Sequence, residues 1–257
     1  MTKALPLRLR RVLLCLGRVL PFMLGLGLCL ASACASSRAA QAVHAPALPP
    51  VRPQLITQGN PHAGKRIALT FDACQTARPA GFDAGIVRIL RRTHTPATLC
   101  LGGRWMETHP AATRDLGRDP LFELGSHSYI HPHMTRVSPV HMRAEMQQTQ
   151  DIMFRLTGKQ GVLFRPPYGE YNALVEQQAA RLGLRTLTWS LVTGDPDPHV
   201  TAPRIVRAVL ARARPGAIVI MHINGRGWHT AEALPLLIPA LRARGYTFVT
   251  VSQLLAH

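Results

Sequence analysis

The sequence predicts an α/β domain built on a parallel sheet of about seven strands, and three observations predict it. From Lys65 onward, short apolar runs alternate with longer amphipathic stretches, the pattern of repeated βα units. Polar residues capable of chemistry recur at the ends of the apolar runs, where parallel α/β folds place their sites. The domain is also short, because seven strands fall within about 190 residues. That fits a barrel smaller than the eight-stranded standard or an open doubly wound sheet, and pattern alone does not separate the two.

The strands are predicted at Arg66–Phe71, Thr95–Leu101, Phe122–Ser126, Val162–Arg165, Arg185–Leu191, Ala217–Met221 and Tyr246–Thr250. Helices are predicted between them. Ala84–Thr93 carries Ile86, Ile89 and Leu90 at helical spacing. Val140–Leu156, Ala173–Leu182, Pro203–Arg212 and Ala231–Arg244 follow.

Residues 1–35 read as an export signal. Lys3, Arg8, Arg10, Arg11 and Arg18 precede an uncharged apolar stretch, Val19 to Ala33, that ends in small residues. The stretch is short for a membrane span, which needs about 20 apolar residues. Leu30-Ala31-Ser32-Ala33-Cys34 resembles a lipoprotein processing box with Cys34 as the acylated residue, while cuts after Ala35 or Ala42 would release a soluble protein. The protein is therefore expected to be exported, periplasmic or envelope-attached, and to meet the membrane only through its signal or a lipid anchor. Residues 36–64, rich in Ala and Pro and without a sustained period, read as a linker, and residues 65–257 as the folded domain.

The 257-residue chain is 47% hydrophobic, enough for one full core, and has a formal charge of +17. Removing residues 1–34 leaves 25 basic against 13 acidic side chains, +12, which favours anionic partners. Export points to acidic envelope polymers rather than nucleic acid. Cys74 and Cys100 are the cysteines of the domain, and nothing in the sequence fixes their separation.

The chemistry-bearing residues are ordered along the chain. Asp72 follows the first apolar run, His127 the third, Arg165 ends the fourth, Asp195 lies just past the fifth and His222 ends the sixth. Each taken singly has an ordinary structural use as a cap or ion pair. Together they define one rim of a parallel barrel. His127 and His131 form H-x-x-x-H, which in one helical turn puts two imidazoles on one face, a zinc-ligand spacing. Pro132 disfavours helix at His131, and His133 leaves the identity of the second ligand open.

Five ordered segments resemble the motifs of the polysaccharide deacetylase (NodB-homology, carbohydrate esterase family 4) family: Thr70-Phe71-Asp72-Ala73, the run His127–His131, Arg165-Pro166-Pro167-Tyr168, a degraded motif ending in Asp195, and Ile220-Met221-His222. The resemblance spans about residues 65–250 and implies a distorted (β/α) barrel of about seven parallel strands. It further implies Asp72 as the general base that activates water and His127 and His131 as metal ligands. Arg165 would order the carboxylates, the backbone N–H of Tyr168 would serve as oxyanion donor, and His222 would be the general acid tuned by Asp195. The implied cofactor is a divalent metal, zinc, with cobalt or nickel as alternatives. The implied substrate is an acetylated glycan, peptidoglycan or an exopolysaccharide. Pro167, Tyr168, Asn224 and Trp228 are expected to contact it, Trp228 by stacking on a sugar ring.

The departures fall on the metal. The family's ligating Asp is replaced by Ala73, and Val192 and Pro196 stand where Asp and Trp are usual in the fourth motif. A third ligand is sought in Cys74, Gln75, Asp83 or Asp72 itself. A thiolate with two imidazoles and water would make a tetrahedral catalytic zinc site. Four functions follow: an N-deacetylase, an O-acetyl esterase on the same site, a glycan-binding pseudoenzyme, or a hydrolase of a non-acetyl amide on the same fold.

Overall fold

The computed structural model describes residues 43–75 and 80–256. The export signal and Cys34 lie outside the described residues. Nine strands form one sheet: β1 (Leu55–Ile56), β2 (Arg66–Ala73), β3 (Ala97–Leu101), β4 (Phe122–Ser126), β5 (Leu163–Phe164), β6 (Arg185–Leu187), β7 (Leu191–Val192), β8 (Ala217–His222) and β9 (Thr247–Phe248). Their order is β1-β6-β5-β4-β3-β2-β8-β7, with β9 against the start of β2. Every pairing is parallel. The sheet curls into the distorted barrel expected of the sequence.

Alternation along the strands decides what faces where, because successive side chains point to opposite faces. In β2, Ile67, Leu69, Phe71 and Ala73 join Leu99, Leu101, Val219 and Met221 in the large core beneath the surrounding helices. The intervening residues face the barrel interior, where Ala68, Cys100 and Ile218 pack with Ile56, Leu163 and Leu187. Helices α1 (Ala84–Arg92) and α7 (Thr230–Ala243) cover the first core with their buried apolar faces. Asp83 starts α1 by accepting from Gly85 and Ile86 N–H, a conventional N-cap. Helices α4 (Pro139–Thr157), α5 (Ala173–Arg181) and α6 (Ala202–Arg212) occupy the other predicted helical stretches.

The differences from the predicted elements have physical reasons. The run Arg185–Leu191 is one extended piece of chain divided into two strands. Its first half pairs with β1 and β5 and its second with β8. Thr188 N–H reaches Ile56 O at 2.8 Å and Ser190 N–H reaches Ile218 O at 3.1 Å, so this run passes the hydrogen bonding from one end of the sheet to the other. Residues 43–64, read as linker from composition, lie against the domain: Ala45 is buried, and Leu55–Ile56 adds the strand beside β6. Two helices absent from the predicted set, α2 (Gly103–Thr108) and α3 (Pro110–Arg118), fill the stretch between β3 and β4, with Pro110 in the first turn of α3. The last predicted strand stops at Phe248 because Thr250 opens α8 (Val251–Leu255) with a capping box to Gln253. Val251 and Leu254 of α8 then complete the interior cluster. Among the described residues, no helix is long and apolar enough to cross a membrane.

Leu254 is 1% exposed inside the barrel, whereas Leu236 on α7 is 56% exposed. Leu254→Ala is expected to lower unfolding free energy by ~2–5 kcal/mol. Leu236→Ala is expected to change it by less than ~0.5 kcal/mol. Paired urea denaturation curves check both.

Candidate active site

Strand parity places the first two groups. Asp72 is the last inward-facing residue of β2 and stands in register with His222 of β8 and Cys100 of β3. Beneath Asp72 runs the side chain of Arg165, which is wholly buried. Its Nη1 donates to Asp72 Oδ1 at 2.6 Å, and its Nη2 donates to Thr70 Oγ1 at 2.8 Å and to Thr188 O at 3.3 Å. The Arg165 guanidinium carbon lies 5.7 Å from the centre of the Trp189 ring. Burial alone would raise the Asp72 pKa, but Arg165, with His127 and His222, outweighs it and holds the carboxyl below its ordinary value.

His127 leaves the end of β4 with Nδ1 donating to Arg165 O at 2.8 Å. That fixes the tautomer and frees Nε2, which lies 3.7 Å from Asp72 Oδ2. The two histidines do not share a helical turn. They sit on a loop with Ser128 at φ 61° and His131 at φ 64°. Pro132 rules out helix at His131, and the turn is fixed instead by His131 N–H to Ser128 Oγ and by Glu145, whose carboxylate accepts from Tyr129 and Ile130 N–H. Burial lowers the His127 pKa; burial and then the charge of His127 push His131 down to about 3. Both rings are thus held neutral, as ligation requires.

Ala73 faces the helix-side core, and Cys74, two residues past Asp72, returns to the pocket. Cys74 Sγ and one nitrogen each of His127 and His131 lie within 4.8 Å of one another. Burial, reinforced by Asp72, pushes the Cys74 thiol up to about 11, so ligation must displace a strongly held proton. A sulfur and two neutral imidazoles are a donor set for zinc, cobalt or nickel rather than calcium. The residues present therefore fit a divalent ion of that class. Asp83 is outside the group, committed to capping α1. Gln75 is outside it too, its Oε1 buried and without a partner among the described residues. Cys74 and Cys100 are both free thiols.

His222 is held from two sides by Asp195. Asp195 Oδ1 accepts from His222 Nδ1 at 3.0 Å and from Thr193 Oγ1 at 3.0 Å; Oδ2 accepts from His222 N–H at 2.7 Å and from Thr230 Oγ1 at 2.8 Å. With Nδ1 engaged, Nε2 is the ring atom left for a substrate. Gly227 packs so closely on this pair that a Cβ there would fall 2.3 Å from His222 O.

Tyr168 stands in a tight turn at φ 59°, and its ring lies parallel to His133 at 4.2 Å and edge-on to His131 at 4.5 Å. His133 also meets Glu170 at 3.0 Å, so it braces the wall and His131 is the histidine of the donor group. A cavity of about 210 Å³ brings together Asp72, Cys74, His127, His131, Tyr168, Asp195 and His222. Its remaining lining includes Trp189, Val192, Pro196 and Arg226, of which Arg226 was not anticipated from the sequence. Three residues expected to contact substrate are not part of this lining. Pro167 is buried in the turn, Asn224 is 2% exposed with its amide on Cys74, and Trp228, 57% exposed, lies off the cavity lining.

A curled parallel barrel with an acid, a buried arginine and three histidines on its C-terminal rim matches a known class. The chain belongs to the polysaccharide deacetylase family, whose model matches residues 59–187. It is 34% identical over 191 residues to a peptidoglycan-N-acetylglucosamine deacetylase of Listeria monocytogenes, a match covering 74% of this chain and 39% of that one. The chain thus spans well under half the length of that relative. The crystal structure of the peptidoglycan N-acetylglucosamine deacetylase Bc1960 superposes with a TM-score of 0.72 at 28% identity, covering 78% of this chain and 92% of the other. BA3943 of Bacillus anthracis, described as a CE4 family pseudoenzyme, superposes with a TM-score of 0.71 at 28% identity, covering 79% and 69%.

The Arg165–Asp72 pair generates a prediction. Arg165→Met leaves a buried carboxylate without its partner and is expected to cost ~3–5 kcal/mol of stability. Because the folded pKa of Asp72 is depressed, its contribution is present above the unfolded value of about 3.9 and lost as pH falls through the folded value. Denaturation at a series of pH values should therefore show a steady gap between wild type and Asp72→Asn from pH 8 to about 5, narrowing below about 4.

Proposed function

We propose that the protein is an exported hydrolase that removes acetyl groups from N-acetylated sugars of an envelope glycan, peptidoglycan being the first candidate. The observation that carries this reading is the convergence, in one cavity, of a carboxylate held ionised and an imidazole held by its own carboxylate. Those are the base and the acid that amide hydrolysis needs.

In this reading Asp72 takes the proton from the attacking water. Arg165 keeps that carboxylate charged and aimed, using donors on two sides. His127, His131 and Cys74 would hold a zinc, cobalt or nickel ion. Such an ion supplies Lewis acidity, lowering the pKa of water and stabilising negative charge. The backbone N–H of Tyr168 is assigned to the oxygen of the tetrahedral intermediate, where one such donor contributes about 10²–10³ in rate. His222 Nε2 delivers a proton to the departing amine, and Asp195 keeps the ring in the tautomer and orientation for that transfer. Trp189, Val192 and Pro196 give the cavity an apolar wall, suited to the acetyl methyl group. Export through residues 1–35, with Cys34 as a lipid-anchoring residue, would bring this site to the glycan.

A binding-only reading gains weight from the missing ligand at Ala73 and from the likeness to a pseudoenzyme. The intact base and acid pairs weigh against it, since binding alone requires neither.

The test is acetate release by the zinc-supplemented full chain from peptidoglycan, chitooligosaccharide and acetylated xylan. Release from an N-acetylated glycan is expected, with Asp72→Asn and His222→Ala each lowering kcat by ~10²–10⁴. Turnover of the xylan alone would replace the reading with an O-acetyl esterase, and no acetate from any substrate would leave a binding protein. Separately, Cys74→Ser is expected to weaken zinc affinity, measured by competition with a chelating dye, while the circular dichroism spectrum stays unchanged.

A further inference from the structure

Asn224 follows β8 on a backbone fixed from several directions. Its carbonyl accepts from Gly81 N–H at 3.0 Å, while neighbouring Ile223 donates to Asp72 O at 3.0 Å and accepts from Asp83 N–H at 2.9 Å. The side chain is 2% exposed. Its Oδ1 accepts from Arg226 N–H at 3.4 Å, which orients the amide so that Nδ2 faces Cys74. Nδ2 then donates to Cys74 O at 2.9 Å and approaches Cys74 Sγ at 3.4 Å. An amide nitrogen carries two hydrogens, so one group holds both the backbone and the sulfur of the same residue. Packing alone would be served by leucine, whose shape is similar and whose burial is cheaper.

We propose that Asn224 is a positioning residue of the metal centre, holding the Cys74 sulfur towards His127 and His131 and hydrogen-bonding the sulfur when it ligates. The proposal rests on the reading of Cys74 as the third ligand. Groups that orient a ligand from behind typically contribute 10–100-fold to metal affinity. The pairing also gives Asn224, expected from the sequence to touch substrate, a role on the opposite side of the donor set.

The experiment titrates Co²⁺ into the full chain and reads the thiolate-to-cobalt charge-transfer absorption, with Zn²⁺ affinity measured by competition. Wild type is expected to show the band and Cys74→Ser to lack it. Asn224→Leu, which keeps the volume, and Asn224→Asp, which keeps the shape but removes the N–H, are each expected to bind about 10–100-fold more weakly with a weakened or shifted band. Thermal melts of the metal-free variants report whether the fold is retained, and if Asn224→Leu fails to fold, Asn224→Asp carries the comparison. Unchanged affinity and an unchanged band in a folded variant would overturn the role of Asn224 and leave Cys74 a ligand. A wild-type cobalt complex without the band would overturn the Cys74 reading and the proposal with it.

Discussion

A guanidinium with no exposure to water sits inside this barrel, and its pairing with Asp72 constrains much of what surrounds it. A buried cation requires a buried anion and enough acceptors to satisfy its donors. Thr70 and the Asp72 carboxylate, both on β2, and the Thr188 carbonyl serve its two Nη atoms from two segments of chain, while Nε is buried without a partner among the described residues. The carbonyl of Arg165 in turn fixes the ring of His127. One residue therefore sets the charge of Asp72 and the tautomer of His127. Such a pair adds little net stability compared with an apolar replacement, and its value lies in geometry.

The second constraint is the two-residue period of β2. Position 73 faces the helix layer, so its alanine is an ordinary core residue in the register this chain adopts. Asp72 and Cys74 lie to either side of it in sequence and face the cavity. Loss of the carboxylate at 73 is thus accompanied by a soft donor at 74, within reach of two imidazoles.

Much of the fold was legible because hydrophobic runs and their alternation are local properties. All seven predicted strands appear in the sheet, and Asp72, Asp195 and His222 were found because strand ends advertise themselves in sequence. What escaped depended on partners distant in the chain. Leu55–Ile56 is too short to read as a strand and exists through its pairing with Thr186 and Leu187. The His127–His131 loop takes its shape from Glu145, a residue on another helix. Asn224 read as a substrate contact, and only the fold brings it against Cys74. Arg226 gave no periodic or motif signal at all. Thr193, two residues before Asp195, could have been suspected as a hydroxyl able to turn back on that carboxylate.

The run from Arg185 to Val192 joins β5 on one side to β8 on the other and carries the Thr188 carbonyl that receives Arg165. Drawing the sheet shut therefore also brings the guanidinium one of its acceptors. In kinetic terms, an intermediate with an open sheet would leave a buried guanidinium short of that acceptor, which disfavours its population. The contacts that close the ring are distant in sequence, so the entropy of loop closure falls on this same step. The arrangement ties completion of the barrel to completion of the cavity, since the run that closes the sheet also carries Trp189 and Val192 of its lining.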